Sequence, residues 1–501
     1  MNLSRSLAVA IPGALLAVAL FETAPAPAGP DAPAPKFTQH PLLAIGDAPR
    51  GIRQVHPDLA RIAGWISGVG AAVALFDHDG DGLANDYCLV DPRFDSVTVA
   101  PAPTTGERFA PFALVEPLAA AGPVAPMGCL PGDFDEDGAQ DLLVYYWGRA
   151  PGLHLAADRF AERPLLDRPE VWHTNAAAQI DADGDGRMDL IFGNYFPETA
   201  EILGTAGAPR MQLSMSNARN AGRNRLFLSR GGGAFDDASD ALSAAPEGWT
   251  LGIGGADLSG DDLPEIYIAN DFGPDRLLHN RSRPGAPAFA LVEARRGLFD
   301  PRSRVLGRDS FKGMGVDFGD VDGDGALDIF VSSIAEDYAL MESHLLFRAT
   351  GDPGAFEDGV APFEEISGAL GVARSAWSWD ARFADFDNDG VPEILQATGF
   401  LKGDVDRWAE LHETAMGNDQ LLPLPAMWHG FGPGDDLSGD RRDALFARGP
   451  DGRYRDVSAA AGFQPGTISR GIALGDVDGD GDLDALIARQ WQPSVLLLNR
   501  T

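Results

Sequence analysis

Seven short stretches of this sequence place aspartate at alternate positions and then turn at a glycine. The pattern is Asp-x-Asp-x-Asp-Gly-x-x-Asp, and its clearest copy contains Asp181, Asp183, Asp185, Gly186 and Asp189. Alternate side chains of so tight a loop converge, and glycine at the sixth position lets the backbone reverse its direction. Because Ca²⁺ prefers about six to eight oxygen ligands, we expect each stretch to be a calcium-binding loop.

The expected ligands occupy the first, third, fifth and closing positions of the seven loops, which would hold up to seven ions. They are Asp77, Asp79, Asp81 and Asp86; Asp133, Asp135, Asp137 and Asp141; Asp181, Asp183, Asp185 and Asp189; Asp257, Ser259, Asp261 and Glu265; Asp320, Asp322, Asp324 and Asp328; Asp385, Asp387, Asp389 and Glu393; and Asp476, Asp478, Asp480 and Asp484.

Two loops deviate from the pattern. In the first loop Asn85 stands at the ninth position and Asp86 follows it, whereas in the fourth loop Asp262 replaces the glycine. A β-carbon is least tolerated where the chain turns sharply, so the fourth loop is expected to be the weakest site. For any one copy the alternative is an ordinary Asp-Gly hairpin turn, but seven copies favour metal binding.

The segments around the loops predict β-strands, which would hold the loops in position. An apolar, β-branched or aromatic run follows each loop, and further strand-like runs come later, such as residues 224–228 and 235–239. Each unit therefore has the order strand, Asp loop, strand, strand, turn, strand. Seven such units predict an all-β fold, a seven-bladed β-propeller with four-stranded antiparallel blades. The last unit lacks a fourth strand, and we expect residues 37–43 to supply it and to close the ring.

The N-terminal segment resembles an export signal. Residues 7–21 form an apolar run after Arg5, too short for a spanning helix, and small residues follow it. We therefore expect a signal peptide at 1–28, an Ala/Pro linker at 29–36 and the propeller at 37–501, with insertions at about 196–222 and 399–435. This implies a secreted or periplasmic protein with no stable membrane span after signal removal. An uncleaved anchor helix is the alternative.

The overall charge excludes two classes of partner. Asp and Glu number 74 against 39 Lys and Arg, a formal net charge of −35. Nucleic acid and anionic membrane surfaces both require clustered cations, so neither is an expected partner.

The two cysteines, Cys88 and Cys129, each lie near an Asp loop. In an exported protein they can form a disulfide. The alternative is two buried free thiols.

The insertion at 399–435 is the best sequence candidate for a ligand-binding ledge. It contains a predicted helix at 404–416 and the side chains of Trp408, His412, Trp428 and His429. The alternative is a helix that packs on the blade edge for structural reasons. His412-Glu413 lacks the second histidine of a zinc-protease helix, and the sequence contains no nucleophile elbow or phosphate loop.

These features resemble the FG-GAP/VCBS repeats of integrin-α-type propellers, and they look closest to the cartilage acidic protein family and its bacterial relatives. Residues 267–273, which run on to Asn280, and residues 436–439, followed by Leu445 and Phe446, are similar to recurring stretches of that family. The resemblance covers roughly 37–501 and implies the propeller fold with Ca²⁺. Family members often continue into a C-terminal ASPIC/UnbV domain. Functions of that domain are not expected here.

The expected function is that of an exported calcium-binding propeller, a binding, adhesion or interaction protein for an extracellular protein or glycan. The ions would be structural. Two alternatives remain: a polysaccharide lyase or hydrolase that uses the central funnel or the 399–435 insertion, and a surface-assembly protein whose acidic rim bridges partners through Ca²⁺. No catalytic residue stands out among the 74 acids.

Overall fold

The computed structural model describes residues 32–119, 122–336, 340 and 342–501. The predicted signal peptide and residues 29–31 of the predicted linker lie outside this range. The described chain forms seven antiparallel sheets of four strands, with one parallel strand added to the fourth sheet. The predicted all-β, seven-bladed propeller is confirmed.

Each sheet follows the chain from an inner strand to an outer strand. Blades one to three contain β2 Ala72–Phe76, β3 Asp86–Asp91, β4 Ser96–Pro101 and β5 Phe112–Val115; β6 Ala125–Gly132, β7 Asp141–Trp147, β8 Gly152–His154 and β9 Glu162–Pro164; and β10 Thr174–Ile180, β11 Asp189–Asn194, β12 Arg225–Ser229 and β13 Phe235–Asp237.

Blades four to seven continue in the same order. They contain β14 Thr250–Ala256, β15 Glu265–Asn270, β16 Arg276–Asn280 and β17 Phe289–Ala294; β18 Gly315–Gly319, β19 Asp328–Ser332, β20 Leu345–Ala349 and β22 Phe363–Glu365; β23 Ser378–Ala384, β24 Glu393–Thr398, β27 Ala444–Arg448 and β28 Tyr454–Asp456; and β29 Ser469–Gly475, β30 Asp484–Arg489, β31 Val495–Asn499 and β1 Phe37–Pro41.

Two connections depart from this scheme. Strand β21, Val360–Ala361, belongs to the fifth blade by sequence but pairs in parallel with β17 of the fourth. Strands β25, Gly403–Asp406, and β26, Gly434–Asp436, form a small parallel pair inside the 399–435 insertion.

The seventh sheet is built from both ends of the propeller chain. Strand β1 pairs antiparallel with β31, with Phe37 opposite Asn499 and Pro41 opposite Val495. The Phe37 ring packs edge-on against Phe386 at a centroid distance of 5.2 Å, which also ties β1 to the sixth blade.

Helices are few and short. They are α1 Ala63–Ile66, α2 Ser367–Leu370 and α3 Trp408–Ala415, with 3-10 turns at Pro57–Ile62, Ala156–Asp158, Ser239–Ala244, Arg302–Arg304, Pro353–Asp358, Asp419–Leu421 and Pro425–Met427. Among the described residues, no helix has the length and apolar character needed to cross a membrane.

The inner strands pack closely around the axis because small residues face it. A β-carbon on Gly252 of β14 would lie 3.1 Å from the Cα atom of Gly315 in β18, so glycine is what permits this approach. The strands enclose a central channel of about 470 Å³, open to solvent, and more than half of its lining residues are alanine, glycine, leucine or valine. Apolar clusters between neighbouring sheets complete the core.

An aromatic cluster, here called the cap, covers one end of the channel. It combines residues of 55–66 and of the two insertions with Trp147, Trp249, Trp377 and Trp379. The cap contacts the first residues of the inner strands, such as Leu251 of β14. The Asp loops follow the last residues of the same strands. The cap and the loops therefore lie on opposite faces of the propeller.

Candidate metal centres and the capped channel

Every Asp loop joins the inner strand of a blade to the second strand. Its first residue comes directly after the inner strand, and its closing carboxylate is the first residue of the second strand. In at least four loops, one oxygen from each of the first, third and closing residues lies within 4.8 Å of the others. These loops start at Asp133, Asp181, Asp320 and Asp385. In the first loop, the corresponding group is Asp77, Asp79 and Asp81.

The first carboxylate of each loop organises the backbone. In the fifth loop, Asp320 Oδ1 accepts from the N–H groups of Gly323 and Asp324 at 2.7 and 3.2 Å, and Oδ2 accepts from Gly325 at 2.8 Å. The bonds from the fifth and sixth residues recur in all seven loops. In all seven, the fifth side chain also accepts from the backbone of the seventh residue. The loops therefore share one geometry.

Two residues of each loop adopt a left-handed backbone conformation. The sixth residue was expected to do so, whereas the fourth was not identified from the sequence. In five loops the fourth residue is glycine, with φ of 72–79° at Gly80, Gly184, Gly260, Gly323 and Gly479. Glu136 and Asn388 occupy the same position at φ of 61° and 57°. The recurrence of glycine at the fourth position is the feature of the sequence that could have predicted this conformation.

The closing carboxylate ties the loop to the rest of its blade. Asp189 Oδ2 accepts from the N–H of Ala182 at 2.9 Å, and Oδ1 accepts from Ser229, at the end of the third strand, at 2.8 Å. Burial, together with the negative charges of Asp183 and Asp185, raises the pKa of Asp189 to about 6. The site therefore concentrates carboxylates where solvent cannot offset their charge.

The same shift recurs at other closing residues. Burial raises the pKa of Asp328 and Asp484 to about 6 and that of Glu393 to about 8, with neighbouring loop carboxylates adding to each shift. A cation bound among these groups would stabilise their ionised forms.

The side chain at the third position of the loops indicates whether they suit a metal ion. Asp135 Oδ1, Asp387 Oδ1 and Ser259 Oγ are buried atoms that have no hydrogen-bond partner within the described part of the chain. Buried oxygens of this kind are costly unless something satisfies them. In the second and sixth loops they lie in the carboxylate clusters themselves. An all-oxygen set with unsatisfied members fits a hard cation such as Ca²⁺.

The first loop differs from the others. The guanidinium of Arg108, from the β4–β5 connection, lies among its carboxylates and forms ion pairs with Asp79, Asp81 and Asp86. The fit to an additional metal ion is therefore poor in this loop.

The fourth loop keeps the shared geometry in spite of its two substitutions. Asp257 still accepts from the N–H groups of Gly260, Asp261 and Asp262 at 2.7, 3.2 and 2.9 Å. Asp262, in place of glycine, adopts a φ of 70°. The loop is therefore formed, and Asp262 carries the backbone strain of a left-handed residue that has a β-carbon.

Replacing Asp262 by glycine should stabilise the metal-free protein. We expect the free energy of unfolding to rise by about 0.5–1 kcal/mol, because glycine adopts the left-handed conformation without a β-carbon clash. Urea denaturation in the presence of chelator measures the change. Asp262→Asn is the matched control, since it removes the charge but keeps the side chain. If the two variants gain equally, charge and not strain explains the effect.

The two cysteines lie in neighbouring blades. Cys88 of β3 and Cys129 of β6 are joined by a disulfide in the structure, with their Cα atoms 6.4 Å apart. Both side chains are buried. The bond therefore crosses the boundary between blades one and two.

The predicted ledge residues lie in and around the cap. Trp428 is buried, and its ring packs 5.7 Å from Trp65. Trp408, on α3, packs 5.9 Å from Trp377. His429 forms an ion-pair contact of 2.8 Å with Glu413 near the surface. His412, one turn along α3 from Trp408, is half-buried. The two tryptophans thus serve the packing of the cap.

The channel brings one polar cluster together. Arg382 lies 3.3 Å from Asp380 and 3.7 Å from Asp317. Tyr145 lines the same region, and burial raises its pKa above the ordinary range. No histidine is among the lining residues, all of which lie in the described chain. The cluster combines a cation and two acids, and Arg470 and Asn175 are further polar side chains of the lining.

Asp271, beneath the cap, should make stability depend on pH. Tyr195 donates a hydrogen bond to its Oδ2 at 2.5 Å. Burial raises the pKa of Asp271 from 3.8 to about 7, although the Tyr195 hydrogen bond and the Lys312 charge oppose the rise. The folded state therefore holds the proton more tightly than the unfolded state, and the stability contributed by this group falls as pH rises from about 4 to 7.

The variant Asp271→Asn measures this contribution. We expect the free energy of unfolding of the native chain to fall relative to the variant by up to about 1.4 kcal/mol per pH unit between about pH 5 and 7. Asparagine still accepts the Tyr195 hydrogen bond, so the comparison isolates ionisation. Parallel stability curves over this range would refute the assignment.

Comparison with known proteins identifies a repeat within the chain. The FG-GAP-like repeat family matches residues 257–331, which extend from the fourth Asp loop into β19. No curated protein matches the sequence. The chain thus contains an FG-GAP-like repeat within a seven-bladed propeller, in agreement with the resemblance to integrin-type propellers.

Two solved structures align with this chain. Both contain BBS1N in complex with ARL6DN, one crystal soaked with mercury and the other with lead. They are 10% and 9% identical to this chain, with TM-scores of 0.45 and 0.43, and each alignment covers 93% of this chain and 98% of the other.

Proposed function

We propose that this protein is an exported calcium-binding propeller that acts as an interaction or adhesion protein. The observation that carries the calcium assignment is the unsatisfied buried oxygen at the third position, repeated at Asp135 and Asp387. It occurs in loops of one shared geometry, amid closing carboxylates whose pKa values are raised by burial. Closer kinship with the cartilage acidic protein family is part of the same proposal.

The ions would act as structural links and not as catalysts. Each loop connects the innermost strand of a blade to the next, and in five loops the closing carboxylate also accepts from a backbone N–H at or just beyond the end of the third strand. A cation held at this point would join three strands of one blade. Because the metal binds only a formed loop, its binding free energy adds to the stability of the fold.

The arrangement of the two faces supports interaction over catalysis. The cap fills one channel end with packed aromatic side chains, and no histidine is among the channel-lining residues, all of which lie in the described chain. The opposite face presents the loops, which supply a ring of exposed carboxylates. An extracellular protein or glycan that contacts this face would meet a surface whose shape and charge depend on Ca²⁺.

The direct test is the number of Ca²⁺ ions per chain. Elemental analysis after dialysis against micromolar Ca²⁺ should find most of the seven loops occupied. Asp135→Asn and Asp387→Asn should each lower the count by one ion, whereas Asp240→Asn, a fully exposed residue outside the loops, should not. Two ions or fewer in the native chain would contradict the proposal.

Export and interaction need a separate measurement. The mature protein recovered from the periplasm or medium should begin near residue 29. Binding of the calcium-loaded protein to immobilised extracellular glycans and proteins should disappear with chelator and return with Ca²⁺. If the protein stays in the cytoplasm with its N-terminal segment intact, the proposal that it is exported is wrong.

A further inference from the structure

One arginine lies inside an Asp loop. The Arg108 side chain is only 16% exposed and reaches into the first loop from the β4–β5 connection. Its Nη1 lies 2.8 Å from Asp79 Oδ2 and 3.3 Å from Asp81 Oδ2. Its Nη2 donates to the carbonyl oxygen of Asn85 at 2.8 Å and also to Asp86 Oδ1. The guanidinium therefore contacts the third, fifth and closing carboxylates together with a backbone carbonyl.

These are the atom types that a Ca²⁺ ion would use. Asp86 is the closing residue of this loop, because its Oδ2 accepts from the N–H of His78 at 2.9 Å, as Asp189 Oδ2 does from Ala182. In five other loops the second oxygen of the closing carboxylate accepts from a backbone N–H at or just beyond the end of the third strand. In the first loop that oxygen accepts from Arg108 instead.

We propose that the guanidinium of Arg108 takes the place of the metal ion in the first loop. Arginine stays charged at any physiological pH and presents several donors in a fixed plane, so it can serve several carboxylates at once. A Ca²⁺ ion cannot enter the same space without displacing it. This inference rests on the proposed function for the remaining loops, and it predicts one ion fewer than there are loops.

Two arginines near other loops, Arg500 and Arg348, contact only the outer carboxylates of those loops. Arg500 Nη1 lies 3.3 Å from Asp478 and 3.8 Å from Asp480 in the seventh loop, and its side chain is 45% exposed. Arg348 lies 3.8 Å from Asp322 in the fifth loop and is 41% exposed. Neither arginine forms an ion pair with the closing carboxylate of its loop. Arg500 therefore provides a matched control for the removal of a cation beside a loop.

The experiment is to count Ca²⁺ ions in Arg108→Ala, Arg108→Gln, Arg500→Ala and the native chain. Calorimetric titration of chelated protein with Ca²⁺ gives the count. We expect both Arg108 variants to bind one ion more than the native chain, and Arg500→Ala to bind the same number. In chelator, the Arg108 variants should melt below the native chain, and saturating Ca²⁺ should reduce this difference.

Each outcome decides the inference. Unchanged counts in both Arg108 variants would overturn it, even if the other loops bind Ca²⁺ as proposed. Seven ions in the native chain would overturn it as well. If the native chain binds none and the Arg108 variants bind one, the inference stands and the calcium role of the other loops fails. If all four proteins bind none, both fail. Arg108→Gln keeps a long polar side chain and serves if Arg108→Ala does not fold.

Discussion

We expect removal of Ca²⁺ to lower the melting temperature of this protein by about 15 °C, the largest effect among our predictions. An ion that binds only the folded state adds about 2.7 kcal/mol at a hundredfold excess over its Kd. The entropy of unfolding for a chain of this size is about 1 kcal/mol/K. With about six occupied loops, the combined contribution corresponds to this shift. Thermal melts with excess Ca²⁺ and with chelator measure it directly.

The control for this experiment is replacement of Ca²⁺ by Mg²⁺ at equal concentration. Mg²⁺ is smaller, demands octahedral geometry and loses its water reluctantly, so it should restore little of the lost stability. High NaCl should not restore the lost stability either, because screening weakens repulsion between carboxylates but does not supply a coordinated cation. An unchanged melt in chelator would mean that the loops are Asp-Gly turns that need no ion.

The second large effect should come from the bond between Cys88 and Cys129. The two residues are 41 positions apart and join blades one and two. Closing a loop of that length lowers the entropy of the unfolded chain and stabilises the fold by about 4 kcal/mol. The double variant Cys88→Ala/Cys129→Ala should lose about this amount in calcium-saturated solution, as measured by chemical denaturation.

The pairing itself is checked by alkylation under denaturing conditions. The native chain should take up no label without reductant and two labels after reduction. Two labels without reductant would leave the cysteines as free thiols. In that case the double variant should lose only the packing of two small buried side chains.

The Asp loops could be predicted from sequence because all of their structural requirements are local. Nine residues contain the alternating carboxylates, the turn and the start of the next strand, as in Asp181 to Asp189. The number of copies, seven, also predicts the number of blades. The strand order inside each blade then follows from the apolar runs around the loops, since a propeller blade is a simple meander.

Other features depend on contacts between distant segments and gave no local signal. Arg108 lies between Glu107 and Phe109, in a stretch that does not reveal the loop it enters. The aromatic cap joins residues 55–66 to two insertions that are far away in sequence. The parallel pairing of β21 with the neighbouring blade likewise depends on how the sheets meet.

The pairing of β1 with β31 has a consequence for refolding at high protein concentration. The two strands come from opposite ends of the propeller chain, so their contact forms late, after the segments between them have collapsed. Until then, β31 presents an open edge with unpaired backbone groups. The segment Phe37–Pro41 of a second molecule fits that edge as well as the molecule's own copy does. Concentrated refolding should therefore yield strand-exchanged dimers, and dilution should favour monomers.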